Sequence, residues 1–536
     1  MVEKESVLFF APFSGIWKHS LSEYGLIRIL KNKYKVYDIR CDRYFREFCT
    51  VMNNKNLDLV SSHDDKEQIC FACKKNAKLL NVRGITRLEL EVPINDLNIN
   101  STIASIYTKD FKELYNLEFN SIPVGRIAVF ESIIKYKKTD FNFSEEELAH
   151  YRTKVIHALK ASLIADAAAN IINPKFVFIH SPQYAVGGSF GAYFERKKIK
   201  VYAISQSSNA SERYRSVMLW NWNKHKLNNP AKESWVEGTK SVSKSDLKRA
   251  SRHLKYLKTG NSPFTYSAKY TGNSIRTFFG LSKTTKIFLL ATSSYDEVHA
   301  NYSSGLSKFT PFNSVVYQNQ VDWIKSTINF FAKKEGTALV IRLHPREFPN
   351  NRDSVPSSHG VMLENILKNL PSNVFVDHPS LGLSVYDYFD EIQCVITGFS
   401  SVGLEAMLAG IPCVSYDSSL IDIPEDIHFT GSSQLEYFTN IDKAFLMQDR
   451  KKIMYDAIHW LAYMSALGSV RVPSSFNDLP NFLNFRFNRK IASKLEAQFT
   501  KLFRWIAVNQ IYLNRDKHKL LNMLSHSSDS LINLEK

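Results

Sequence analysis

No apolar run in this chain approaches the roughly 18 uninterrupted residues of a membrane-spanning helix, which excludes a bilayer span of that kind. A secretory leader is missing too: Glu3 and Glu5 are acidic, and they precede only a short apolar stretch of strand length. Helix-turn-helix patterning, zinc-finger spacing and an aromatic RNA-binding consensus are all absent, so nucleic acid is not the expected partner. The chain has no short-period repeat and no low-complexity tract. Acidic residues are in deficit, 52 against 69 Lys and Arg, and the resulting charge of +17 calls for an anionic partner. These absences leave a globular protein, expected in the cytoplasm.

At 536 residues and 44% apolar content the chain is too long for one ordinary core and suits two α/β domains with appended helices. Residues Val7 to Ala11, the helix Leu21 to Leu30 and residues Tyr34 to Ile39 make a βαβ opening. Ser144 and Glu147 form a capping-box signature before a long amphipathic helix. Strands follow at Phe176 to Ile179, ending on His180, and at Val201 to Ile204. Residues 1–258 therefore read as a Rossmann-like N-terminal domain. Residues 259–284, rich in Gly, Ser, Thr and Asn, read as a linker. A second βα series occupies 285–450, with strands at Ile287 to Leu290, Leu339 to Leu343, Val374 to Asp377, Cys394 to Ile396 and Val414 to Tyr416. Residues 451–536 read as helical and as a segment that returns to brace the first domain.

Two polar crests of the second series carry the strongest chemical signal. Arg342-Leu343-His344-Pro345-Arg346-Glu347 follows a short β-branched run, so its His and Arg emerge at a parallel strand's carboxyl end, where open α/β sheets bind ligands. Pro345 ends that strand, so period-two alternation does not place Arg342 and Arg346 on one side. Thr397-Gly398-Phe399-Ser400-Ser401-Val402-Gly403-Leu404-Glu405 follows another strand and runs into good helix formers, closed by Gly410 and Pro412. Ser400 or Ser401 is then expected to cap a helix whose free N–H groups face an anion. Together the crests read as two sides of a phosphate and ribose pocket. Ser293, Ser294, Asp296 and Glu297, after the first strand of this half, belong either to the same cleft or to the cap of the next helix.

The order of these motifs, His344-Pro345 and then Ser400-Ser401 with Gly403-Leu404-Glu405, resembles the capsular and surface-polysaccharide transferases, including Kdo transferases and bacterial sialyl- and polysialyltransferases. The resemblance implies an α/β fold of GT-B architecture, two Rossmann-like domains facing a cleft with additional C-terminal helices, whose second half holds a nucleotide-sugar. It implies that His344 contacts the donor phosphate, that Ser400 and Ser401 hold phosphate oxygens, and that Glu405 accepts the ribose hydroxyls. Arg342 and Arg346 add charge to the same site. The implied activity is transfer of a sugar, such as a CMP-linked Kdo or sialic-acid relative, to a bacterial capsular or lipopolysaccharide glycan, free or lipid-linked. A CDP-polyol phosphotransferase of the teichoic-acid type shows a similar pattern. A non-catalytic basic scaffold on membrane or nucleic acid is the alternative from another class.

Transfer needs a base, and the first half offers His19 and Glu23 at its first crest and His180 at a later strand end, with His19 the first choice. No metal or other cofactor is required, because Arg and His can stabilise a leaving phosphate. Cys41, Cys49, Cys70 and Cys73 have the makings of a structural zinc site or of a set of reduced thiols; Cys394 and Cys413 read as core. Near the C-terminus, Arg486, Arg489, Lys490, Lys494, Lys501, Arg504, Arg515, Lys517 and Lys519 accompany Phe499, Leu502, Phe503, Trp505, Ile506 and Val508. That mixture fits either a peripheral contact with anionic lipid on the inner face of the membrane or a solvated helix.

Overall fold

The computed structural model describes residues 4–88, 97–226, 228–235, 242–262, 265–306, 314–350, 354–447, 449–472 and 516–532. Its strands are β1 (Ser6–Phe10), β2 (Lys35–Ile39), β3 (Thr86–Arg87), β4 (Phe176–His180), β5 (Lys200–Gln206), β6 (Ser216–Asn221), β7 (Lys286–Ala291), β8 (Thr337–Arg342), β9 (Val374–Asp377), β10 (Ile392–Thr397), β11 (Cys413–Ser415), β12 (Phe429–Thr430) and β13 (Ser469–Arg471). They form two sheets, ordered β13-β6-β5-β4-β1-β2-β3 and β12-β11-β10-β7-β8-β9. The second is parallel throughout; in the first, β6 and β13 pair antiparallel at one edge. Two Rossmann-like α/β domains facing a cleft is thus the observed architecture.

Side-chain alternation builds each core. In β1, Leu8 and Phe10 join one apolar cluster with the helices Val124–Tyr136, Glu145–Ile171 and Ala185–Arg196, while Val7 and Phe9 join the cluster on the opposite face. The Glu145–Ile171 helix begins where its capping box lies: Ser144 Oγ accepts from the Glu147 N–H at 3.3 Å, and Glu147 Oε2 accepts from the Ser144 N–H at 2.7 Å. Cys394 and Cys413 are buried core residues of the second domain.

The domains are pinned on both flanks of the cleft. On one, Met218 of β6 packs with Met407, Ile421 and Trp460 in a shared apolar cluster, each such aliphatic burial contributing about 1.5–3 kcal/mol. There Lys232 Nζ donates to Ile421 O at 2.7 Å, and Trp235 Nε1 donates to the Asp426 carboxylate at 2.9 Å. On the other, Tyr115 Oη and Arg126 Nε both donate to Ser303 O. The segment expected as a linker is laced to the second domain: Asp387 accepts from Thr271 N, Thr271 Oγ1 and Gly272 N at 2.7–2.9 Å.

After the Arg450–Ala462 helix the chain crosses back and adds β13 to the first sheet, and among the described residues a further helix, Lys517–Ser525, places Leu520, Met523 and Leu524 in the first-domain core. Lys519 donates to Ser469 O at 3.2 Å. The other C-terminal cations, Arg486 to Arg515, and the apolar residues Phe499 to Val508 lie outside the described residues. Among the described residues no helix is long and apolar enough to cross a membrane.

Candidate functional site

Strand order in the second sheet changes direction between β7 and β10, and β7, β8 and β10 deliver their crests to the same carboxyl edge. A cavity of about 460 Å³ opens there. His344, Arg342, Ser400, Ser401, Glu405 and Glu297 line it from the second domain, Ser208 and Arg213 from the loop after β5, and His253 from the connecting helix Arg252–Lys258. This is the position at which an open α/β sheet presents ligand contacts.

His344 is held by its neighbours in one protonation state. Its backbone N–H donates to Thr292 Oγ1 at 2.8 Å, and its Nδ1 accepts from the Arg346 N–H at 3.3 Å. The neutral ring therefore carries its proton on Nε2, a donor left for the cavity. Burial, with the charges of Arg346, Arg342 and Lys137, lowers its pKa to about 3. His253 repeats the arrangement: Nδ1 accepts from the Ala210 N–H at 2.9 Å, and burial with Arg213 lowers its pKa to about 4. His344 and His253 both line the cavity, His253 from the helix Arg252–Lys258, whose Leu257 packs into the core of the second domain.

Ser401 occupies the N-cap position of the helix Val402–Met407, but its hydroxyl donates to Glu405 Oε1 at 2.9 Å instead of capping. Ser400 Oγ accepts from the Val402 N–H at 3.4 Å, so the expected cap is weak and falls to Ser400. Gly403 lets this helix sit close to β11, where a Cβ would stand 2.8 Å from Cys413 Sγ. Burial raises the Glu405 carboxyl above its usual range, opposed by Ser401, Tyr386 and Arg342. Arg342 is pinned at the cavity edge by an ion pair with Asp377 and a 3.0 Å bond to Leu383 O.

Several expected site residues serve the scaffold instead. Arg346 forms a forked pair with Asp296, Nε to Oδ2 at 2.9 Å and Nη2 to Oδ2 at 2.8 Å, and reaches across the domains to Ile134 O. Asp296 is 1% exposed and also accepts from Ser294 Oγ at 2.8 Å. Ser293 is buried between crests, its N–H on Gln320 Oε1 and its Oγ accepting from the Phe399 N–H. Glu297 borders the cavity with its side chain half exposed and its Oε1 3.9 Å from Arg346 Nε; Ser293, Ser294, Asp296 and Arg346 are not among the residues lining it.

The first-domain candidates are also redistributed. Glu23 is 5% exposed and bonded to Arg40 Nη1 at 3.2 Å, inside a buried network in which Arg40 also holds Asp38, Ala11 O and Ser14 Oγ. It is not among the residues lining the cavity described above. His19 and His180 stack with ring centroids 4.0 Å apart at the carboxyl edge between β1 and β4, the change of direction in the first sheet. Gln206 Nε2 contacts His180 Nε2 at 3.2 Å, and His180 Nδ1 contacts Ser181 Oγ at 2.9 Å. Burial, Arg213 and Lys18 lower His19 to about 4 and burial lowers His180, so both rings are neutral; neither is among the residues lining the cavity described above.

Cys41, Cys49, Cys70 and Cys73 border a separate cavity of about 40 Å³ with Pro12 and Phe13. Burial raises all four thiols, Cys41 to about 12 and Cys70 and Cys73 to about 11. Cys73 Sγ accepts from the Gly15 N–H at 3.2 Å. Among the described residues no group of three or more His, Cys, Asp or Glu is placed to hold a metal ion.

Arg213, His253, Tyr266 and Tyr386 line the cavity without having been singled out in the sequence. Arg213 and His253 carry no motif; the one available signal is that Arg213 follows the carboxyl end of β5.

No protein-family model matches the chain, and no curated protein matches it. Among solved structures, the KpsC β-Kdo 2,4-transferase of Thermosulfurimonas dismutans is 11% identical, with a TM-score of 0.33 over 53% of this chain and 79% of that one. A UDP-GlcNAc 2-epimerase from Methanocaldococcus jannaschii, in complex with UDP-GlcNAc and UDP, is 11% identical, with a TM-score of 0.29 over 83% and 94%. The spinosyn rhamnosyltransferase SpnG is 9% identical, with a TM-score of 0.26 over 87% and 97%. Likenesses of this size decide neither family nor activity. The chain's own geometry carries the functional reading.

Proposed function

We propose that the chain is a glycosyltransferase that takes a sugar from a nucleotide donor held by the second domain and passes it to an acceptor entering from the first. One observation carries this reading: a single inter-domain cavity gathers His344, Ser400, Ser401, Glu405 and Arg342 on one wall and Arg213 and His253 on the other. His344 Nε2–H and the Ser400 hydroxyl are donors suited to phosphate oxygens, while the Ser401 hydroxyl is held by Glu405, and Arg342, paired with Asp377, presents its guanidinium at the cavity edge. Glu405, an acceptor, suits the ribose hydroxyls.

In the reaction the sugar's bond to the donor phosphate breaks as the acceptor oxygen bonds to the anomeric carbon. Negative charge develops on the phosphate, where His344 and Arg342 stabilise it. The acceptor hydroxyl gives its proton to Glu297, a carboxylate that borders the cavity with its side chain half exposed. The motif resemblance favours a CMP-linked acidic sugar and a glycan of the bacterial surface.

Calorimetry against CMP, CDP, UDP and GDP tests the reading. One nucleotide is expected to bind and to lose about tenfold or more in affinity in His344→Ala, the scale of a hydrogen bond to a charged group. Absence of binding to all four, or binding indifferent to that substitution, rules the proposal out.

A further inference from the structure

We infer that the exposed face of the helix pair Lys244–Ala250 and Arg252–Lys258 is a track for a linear acidic glycan, leading it to the cavity. Ser251 joins the helices in helical conformation, φ −61° and ψ −16°, so the helical phase carries through. Lys244, Lys248, Arg252 and Lys255 recur at intervals of three and four residues, and all are exposed. At 1.5 Å per residue they make a row about 16 Å long with a cation roughly every 5–6 Å. The opposite face turns inward, where His253 and Leu257 line the cavity and Ala250 is buried.

Charge on this face is uncompensated. Asp246 is the pair's single acid, and Arg249 neutralises it. Among the described residues none of the four cations takes part in an ion pair. A partner with anions in single file matches such a row. A bilayer matches it less well, because an interfacial helix inserts an apolar face, and here no large apolar residue of the pair is among the exposed ones. That the glycan is the acceptor rests on the proposed transfer activity; that it binds does not.

The test uses the full chain with polygalacturonate as probe, dextran as the neutral control, and vesicles of phosphatidylglycerol and phosphatidylcholine. Wild type should bind polygalacturonate and not dextran, losing roughly tenfold or more in affinity between about 50 and about 200 mM salt. The variant Lys244→Gln, Lys248→Gln, Arg252→Gln, Lys255→Gln keeps good helix formers at every site. It should lose about tenfold or more at low salt with nucleotide binding unchanged. If it fails to fold, Lys248→Gln and Arg252→Gln alone should each give a smaller loss, and two full-strength single variants would overturn the inference. So would a quadruple variant that binds polygalacturonate like wild type, or a loss confined to vesicle binding. Polymer binding that needs the four cations, in a protein that binds no nucleotide, would sink the transfer reading and leave the track standing. Nucleotide binding without polymer binding would do the reverse.

Discussion

Removing Arg346 should unfold the second domain more readily and should do so through Asp296. The guanidinium closes two bonds of 2.8 and 2.9 Å on Asp296 Oδ2, with the side chains 10% and 1% exposed. Arg346→Met leaves a carboxylate buried without its counter-ion, a loss of about 3–5 kcal/mol. For a cooperative unit of this size that corresponds to melting about 6–20 °C earlier. Asp296→Leu should cost a similar amount for the mirrored reason. The double variant Asp296→Leu with Arg346→Met, which buries no orphan charge, should lose less than either single change. Differential scanning calorimetry reads all three, and nucleotide calorimetry on the folded fraction shows whether the phosphate site survives. Arg346→Met that melts like wild type yet no longer binds nucleotide would refute this and return Arg346 to the phosphate contact its motif suggests.

Acid should destabilise the protein before most carboxylates titrate. Burial holds His19, His253, His359 and His428 neutral down to about 4 and His344 down to about 3, against 6.5 in an unfolded chain. Between these values the unfolded chain binds more protons, so stability falls as pH drops from about 6.5 to about 4. Glu23 and Glu347, raised by burial to about 7 from 4.5, act in the opposite sense, contributing stability that is lost as pH rises through about 7, as do the raised Glu405, Asp377, Asp422 and Asp516; His150, His157, His180 and His299, also lowered, and Glu47, lowered to about 2, add to the decline in acid. Urea unfolding across that range should show the decline, with a shallower slope in His359→Gln; a flat or rising profile contradicts it. Gly403→Ala should cost about 1–3 kcal/mol and weaken nucleotide binding, since the added methyl meets Cys413 Sγ at 2.8 Å and displaces the helix bearing Glu405. An unchanged melting temperature would show that Cys413 gives way freely.

What the residues determine by themselves is local and periodic. Short β-branched runs between polar crests specify the parallel strands, because a strand buried on both faces has no polar alternation to hide. Ser144 and Glu147 specify a helix start through bonds made within one turn. The His344 crest and the Ser400-Ser401 crest lie near each other because parallel strands of one sheet end on one edge, so order along the chain suffices to join them. Tertiary structure decided the rest. β6 and β13 pair antiparallel across some 250 residues, a registration that no local pattern encodes. Arg346 and Asp296 stand on two crests, and a charge on a crest looks the same in sequence whether it meets a ligand or a partner 50 residues away. Arg213, after β5 of the first sheet, and His253, on the connecting helix, enter the site without a motif, since a cavity wall is set by where packed elements meet. Side-chain identity supplies the chemistry, and long-range packing chooses which groups are left over to use it.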